Sequence, residues 1–381
     1  MFTQLKPEID QMKQMVRNYV EREVEPYAQQ IEEEDKIPQH LIEQAKELGL
    51  FGISIPEEYG GIGLNAVGKA VILEQLGRTH NGFVSLISAH TGIGSTGLVK
   101  LASPYLKDKY LPGMAAGEKI AAFALSEPAA GSDATNLETR AVKRGDKWIV
   151  NGTKHFITNA PVADVFTVFA LTDKEKGAKG GITAFLIEKD FPGFTIGKID
   201  KKMGLRGSYT AQLIFEDCEV PDVNVIGEVG MGYLSALKIL GEGRVGLAAR
   251  AVGSCDKLIE LSASYAKERK QFGKPIADNQ AIQWMLADMA TETEAARMLT
   301  LKAAHMIDDG KKVIKEASMA KLFASDVFNR VADKAVQIHG GMGYVADYPI
   351  ERFYRDARIT KIYEGTNEIQ RLIIARKVLE G

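Results

Sequence analysis

Cysteine is almost missing from the chain: Cys218 and Cys255 stand far apart, with no CxxC pair and no His/Cys cluster at metal-ligand spacing. That argues against a disulfide scaffold and a structural zinc, and makes a reducing, cytoplasmic compartment the expectation. A matrix protein stripped of its leader would read the same way. An excess of one charge is also lacking. Lys and Arg number 48 against 50 Asp and Glu, a net charge of -2, which offers no field for wrapping nucleic acid. No apolar run approaches the ~18 residues needed to span a membrane. The opening MFTQLKPEIDQMKQ has neither the basic nor the apolar region of a secretory signal. A Walker phosphate loop and an HExxH zinc motif are both absent, removing two further chemistries.

What is present is ordinary globular composition, 45% apolar and 26% charged over 381 residues, more chain than one core usually supports. Residues 1–117 read as helical. Pro7 opens a stretch in which Ile9, Met12, Val16, Tyr19 and Val20 recur at helical spacing as far as Glu32 to Asp35, and Pro38 opens a second helix that stops at Gly49. Two more helical segments are expected before Leu111-Pro112-Gly113. Residues 118–229 change to short β-branched and aromatic runs: Trp148 to Val150, His155 to Ile157, Val165 to Leu171, Ile182 to Ile187 and Gln212 to Phe215. Turns are expected at Arg144 to Lys147 and at Val150 to Thr153. Without alternating helices, an antiparallel barrel or sandwich is preferred to a doubly wound sheet. Residues 230–381 are helical again, with a long apolar stripe from Ile282 to Met306 that points to a four-helix bundle. The fold class is α+β: helices, then sheet, then helical bundle.

Gly92 to Gly97 matches GxGxxG, yet Pro104, Pro112 and Gly113 interrupt what should follow and no βαβ unit continues. Packing explains that pair better than dinucleotide binding. Taken singly, the remaining motifs also have plain readings. EPAAGSD (127–133) could be a surface turn and NGTKHFITN (151–159) a hairpin. ERKQFGKPI (268–276) could be a helix end with basic residues at its negative pole. QIHGGMGY (337–344) could be a helix end and a glycine loop. Together with KKMGLRGS (201–208) and IYEGTNEIQR (362–371), in that order and over nearly the whole chain, they resemble the acyl-CoA dehydrogenase family, and most closely its medium- to very-long-chain members.

The resemblance implies FAD as cofactor, with Phe123, Leu125 and Ser126 facing the isoalloxazine, Gly131 and Ser132 in the adjoining turn, and Phe156, Ile157 and Thr158 closing the other side. It implies that Arg269, Gln271, Phe272, Gln280, Gln337, Gly340 and Gly341 meet the pyrophosphate and adenine across a subunit boundary, with Thr366 and Glu368 also at the cofactor. A homo-oligomer follows, most simply a dimer of dimers. By the same likeness Glu364 is the base that removes the α-proton of a fatty acyl-CoA while the β-hydride passes to the flavin. Arg244, Tyr363, Gly365 and Ser132 line the substrate. The family's other base position, just before Arg244, is Gly243 here and cannot serve, and Glu242 is turned about 100° away. Gly94 and Gly97, costly in a helix at roughly 1 kcal/mol each, imply an open tunnel for a medium- to long-chain acyl group, or else close packing. An electron-transferring flavoprotein is the implied acceptor. The end at Gly381 disfavours oxidases with an added C-terminal domain.

Overall fold

The computed structural model describes residues 6–380. Met1 to Leu5 and Gly381, on which the readings of leader and chain end partly rest, lie outside the described residues. The helical start comprises α1 (Pro7–Tyr19), α2 (Ala28–Glu34), α3 (Gln39–Glu47), α4 (Ala66–Leu76), α5 (Asn81–Ala89), α6 (Ser95–Leu101) and α7 (Pro104–Ala115). Strands follow: β1 (Ala121–Ala124), β2 (Arg140–Arg144), β3 (Lys147–Thr158), β4 (Val165–Leu171), β5 (Ile182–Glu188), β6 (Phe194–Ile199), β7 (Thr210–Pro221) and β8 (Val225–Ile226). The end is helical, with α8 (Gly232–Glu268), a small hairpin of β9 (Lys270–Gln271) and β10 (Lys274–Pro275), then α9 (Gln280–Asp308), α10 (Ile314–His339), α11 (Ile350–Ile359) and α12 (Asn367–Leu379).

The sheet runs β6-β7-β3-β2-β4-β5-β8, with antiparallel pairing along most of the path. Two parallel seams depart from the antiparallel expectation: β1 lies parallel to β4, and β2 meets β4 in parallel at Arg140 and Leu171. α8, α9 and α10 pack together in the final unit, and α4 packs on α8 and α9. The close approach of α4 to α8 is legible in two glycines. A Cβ on Gly253 would lie 1.8 Å from the Glu74 carbonyl oxygen, and one on Gly77 would lie 2.2 Å from that of Arg250.

Several local expectations are corrected. The first helix does not run unbroken to Asp35: a π turn at Val20–Val24 and a 3-10 turn at Glu25–Tyr27 separate α1 from α2. Four helices, not two, fill residues 66–115, and Pro112-Gly113 lies inside α7 instead of ending it. Leu111 and Met114 are buried there while Pro112 is exposed, so the hydrogen bond that proline forfeits faces water. Val150 to Thr153 is not a turn. β3 runs through it with a register shift at Gly152 (φ +145°), whose missing Cβ would lie 2.6 Å from Thr139 Cα; this is a bulge, which one extra residue produces in a paired strand. β2 and β6 expose most of their residues, leaving no apolar pattern to read.

The KKMGLRGS loop joins all parts of the molecule. Leu205 N–H donates to Asp356 Oδ1 at 2.6 Å and Gly207 N–H to Asp35 Oδ1 at 2.6 Å, while Arg355 Nη1 donates to the Met203 carbonyl at 3.2 Å. One loop of the sheet is thereby pinned to α11 and to the residue that ends α2.

Candidate active site

Glu364 lies in the connection between α11 and α12, closed by Asn367 N–H on the Lys361 carbonyl at 3.0 Å. Its φ is +55° and that of Gly365 is +92°. A left-handed non-glycine residue costs on the order of 1–3 kcal/mol and is kept where surrounding structure over-determines it. That structure is visible: Gln370 Nε2 donates to the Glu364 carbonyl at 3.3 Å and to that of Gly365 at 2.9 Å, and Arg244 Nε donates to the Glu364 carbonyl at 3.4 Å. Thr366 caps α12, accepting from Ile369 N–H at 3.4 Å.

The carboxylate is presented, not consumed. Glu364 Oε2 is buried with no hydrogen-bond partner among the described residues. Burial pushes the pKa up, against the pull of Arg250, Arg244, Lys321 and Lys69. A buried carboxylate without a donor is a stronger base than a solvated one, which suits proton abstraction from carbon. Gly243 explains the room it occupies: a Cβ there would sit 2.5 Å from Glu364 Oε2. Positions 243 and 364 therefore face one point in space. Glu242, one residue away, pairs with Lys100 instead. Arg244 is buried, its Nη1 donating to Ser318 Oγ at 3.4 Å, and burial lowers its pKa.

The flavin-facing residues inferred from sequence are drawn together in part. Phe123, in β1, lies against the Phe169 ring at 5.0 Å, and His155 N–H donates to the Ser126 carbonyl at 2.9 Å, tying the residue before EPAAGSD to the NGTKHFITN segment. Leu125 and Ile157 are buried, Ser126 and Thr158 half-buried, Gly131 and Ser132 exposed. Phe156 is left-handed (φ +59°), 64% exposed and stacked on His155 at 3.9 Å. Beneath this pair of segments is an ion pair that the sequence reading missed. Lys154 Nζ lies 2.7 Å from Glu127 Oε1 and donates to the Leu125 carbonyl at 3.1 Å, while Glu127 also accepts from Glu138 and Thr139 N–H. The available signal was an acid in one motif and a base in the other.

A second group lies elsewhere. Tyr265 stacks on His339 at 4.4 Å, bringing the end of α8, with Arg269, Gln271 and Phe272, beside the end of α10, with Gln337, Gly340 and Gly341. Gln280, at the start of α9, is exposed, as is Glu368 in the first turn of α12. No hydrogen bond, ion pair or ring contact among the described residues joins this group to Phe123 or Phe156. Phe272 is left-handed (φ +52°) and 100% exposed, and nothing lies within 4 Å of where a Cβ would stand at Gly131, Gly340 or Gly341. Bare rings, an exposed arginine and open glycine backbone fit a flat cofactor with a diphosphate.

Residues 6–118, 122–218 and 230–379 match the family models for the acyl-CoA dehydrogenase N-terminal, middle and C-terminal domains. The chain belongs to the acyl-CoA dehydrogenase family. It is a flavin-dependent oxidoreductase of that family. It is 46% identical to an acyl-CoA dehydrogenase of Bacillus subtilis, covering 97% of each chain. Similarity is nearly as high to the acryloyl-CoA reductase (NADH) of Anaerotignum propionicum, at 45% over 98% of this chain and 95% of the other. The short-chain-specific acyl-CoA dehydrogenase of Clostridium acetobutylicum is 44% identical over 96% of this chain and 97% of the other. Among solved structures, butyryl-CoA dehydrogenase of Megasphaera elsdenii superposes with a TM-score of 0.96 at 39% identity, covering 100% of both chains. A chain from structural work on the electron transferring flavoprotein of Acidaminococcus fermentans superposes at 0.97, with 44% identity and 100% of both chains covered.

Protein atoms crowd the glycine pair. A Cβ on Gly94 would lie 2.9 Å from the Ala89 carbonyl oxygen and 3.0 Å from that of Ala121; one on Gly97 would lie 3.0 Å from Ile239 Cδ1. The space these glycines save is taken by protein atoms.

Proposed function

We propose that this family member dehydrogenates a short fatty acyl-CoA thioester to the trans-2-enoyl-CoA, with Glu364 as the base. The observation that carries the reading is the unpartnered, buried Oε2 of Glu364, held in a left-handed turn beside Gly243 and within reach of four cations. The carboxylate takes the α-proton. Arg244 and Gln370 hold the carbonyl behind it, so the carboxylate stays aimed at one point. FAD, when bound, supplies the acceptor for the β-hydride. Phe123, Ser126 and Phe156 would hold its ring, and Arg269, Phe272 and Gly340 of a second copy its diphosphate end, which requires a homo-oligomer. The same carboxyl, protonated, returns a proton in the reverse reduction, the direction for which the acryloyl-CoA reductase is named.

A short acyl group replaces the longer one suggested by the glycine pair, because the packing around Gly94 and Gly97 supports no tunnel there and the Clostridium acetobutylicum relative is short-chain specific. Electrons would pass to an electron-transferring flavoprotein, consistent with the context of the Acidaminococcus neighbour. The test is anaerobic titration of the flavoprotein with acyl-CoAs of graded length, following flavin bleaching. Bleaching should be fastest with butyryl-CoA, and Glu364→Gln should slow it by about 10²–10⁴-fold. Native-rate bleaching by that variant removes Glu364 from the mechanism, and a maximum at palmitoyl-CoA rejects the short chain.

A further inference from the structure

We propose that Lys321 is a positioning residue for the base: from α10 its ammonium grips the backbone of the turn that presents Glu364 and sets a fixed positive charge beneath it. The inference rests on the reading of Glu364 as base and extends it to a residue outside the motifs. Lys321 is 0% exposed. Its Nζ donates to the Gly365 carbonyl at 2.8 Å and to Asn367 Oδ1 at 2.9 Å. Asn367, itself buried, bonds in turn to Ser325 and donates to Asp326 Oδ1 at 3.0 Å.

No carboxylate oxygen lies within ion-pair distance of Lys321 among the described residues. A buried ammonium without an anionic partner is expensive, and a methionine of similar volume would fill the same space without that cost. What the lysine provides, and methionine cannot, is a donor for the carbonyl of Gly365 at the point where the chain is left-handed, plus a charge. The turn has two carbonyls to satisfy. Gln370 reaches both and Arg244 reaches that of Glu364, while Lys321 is the charged donor on Gly365 and also fixes the first residue of α12. The turn is thus clamped from α8, α10 and α12. Burial lowers the pKa of Lys321 to about 8, which leaves it charged at neutrality. The groups facing Glu364 are Arg250 and Arg244 from α8, Lys321 from α10 and Lys69 from α4; all are cations, so removing one makes the carboxylate harder to ionise.

Two variants separate grip from charge. Lys321→Met loses both; Lys321→Gln keeps a donor and loses the charge. In Lys321→Met, kcat should fall by roughly 10–100-fold with KM and FAD content little changed. The acid limb of the kcat profile should move to higher pH, and amide exchange across residues 362–367 should quicken. Lys321→Gln should keep slow exchange and still show the displaced limb. A Lys321→Met protein with native kcat, native limb and native exchange overturns the inference. Should that variant not fold, an undisplaced limb in Lys321→Gln overturns it equally. If none of the acyl-CoAs bleaches the unmutated protein, the dehydrogenase reading fails, whereas the exchange comparison still decides whether Lys321 holds the turn.

Discussion

Gly243 acts through the atom it lacks. The carboxylate of Glu364 occupies the place where a side chain at 243 would begin, and Ile93 Cγ2 would be 2.8 Å from that same Cβ, so a side chain there would have to move the carboxylate. Gly243→Ala should therefore displace the carboxylate while leaving its burial and its cations in place. We expect dehydrogenation to drop on the order of 10²-fold, the scale attached to misplacing a catalytic group by about 1 Å, with flavin content and thermal midpoint nearly native. Stopped-flow bleaching beside a melting curve checks this, and a variant as fast as the native enzyme would show that the carboxylate has another place to stand.

Within the elements, the Lys154–Glu127 pair decides whether the loop after β1 stays registered against β3. Lys154 is fully buried and Glu127 nearly so. Burial lowers the Lys154 pKa to about 8; for Glu127, burial pushes upward but the Lys154 charge and the donors around it prevail and hold the carboxyl low. Lys154→Met leaves Glu127 buried and uncompensated, which typically costs about 3–5 kcal/mol. Lys154→Met with Glu127→Gln removes the orphaned charge and should recover part of that loss, a non-additivity that denaturant unfolding of both variants measures. A single variant within ~1 kcal/mol of native stability would mean that the loop is held by its other bonds, such as His155 N–H on Ser126.

Over the whole molecule, the seam between the first helices and the sheet passes through His90. Its Nε2 donates to the Met114 carbonyl at 3.1 Å, its Nδ1 accepts from Ala121 N–H at 3.0 Å, and its ring meets Phe51 at 5.4 Å. Protonating Nδ1 would break the bond to β1, and burial lowers the pKa from 6.5 to about 4. Below 6.5 the unfolded chain binds a proton that the folded chain refuses. Stability from this group is therefore complete above that pH and lost as pH falls towards 4, to a total of about 3 kcal/mol. His90→Gln should flatten that part of the stability profile in equilibrium unfolding. An unchanged slope in the variant would assign the acid sensitivity to other groups.

The order of helices, sheet and helices, the long α9 stripe and the motif that carries Glu364 were legible in the chain because each is written in local periodicity or in contiguous residues. Less legible were features whose cause lies across the fold. Pro112 sits within α7 because buried neighbours outweigh one lost bond facing water. Val150 to Thr153 stays extended because β7 pairs with it on either side of a bulge. Gly94 and Gly97 were open to two readings, room for a substrate or close packing, and the chain alone did not show that Ala121 and Ile239 stand against them. Lys321 had no local signal at all, and Lys154 had only an acid in the neighbouring motif, since a lysine in a strand or helix is ordinarily solvated. The linear chain by itself determined which groups carry charge and which segments repeat at helical or strand spacing. Only the tertiary structure decided which charges lose water and which glycines touch backbone, because desolvation and close approach are properties of residues distant in the chain brought to one place.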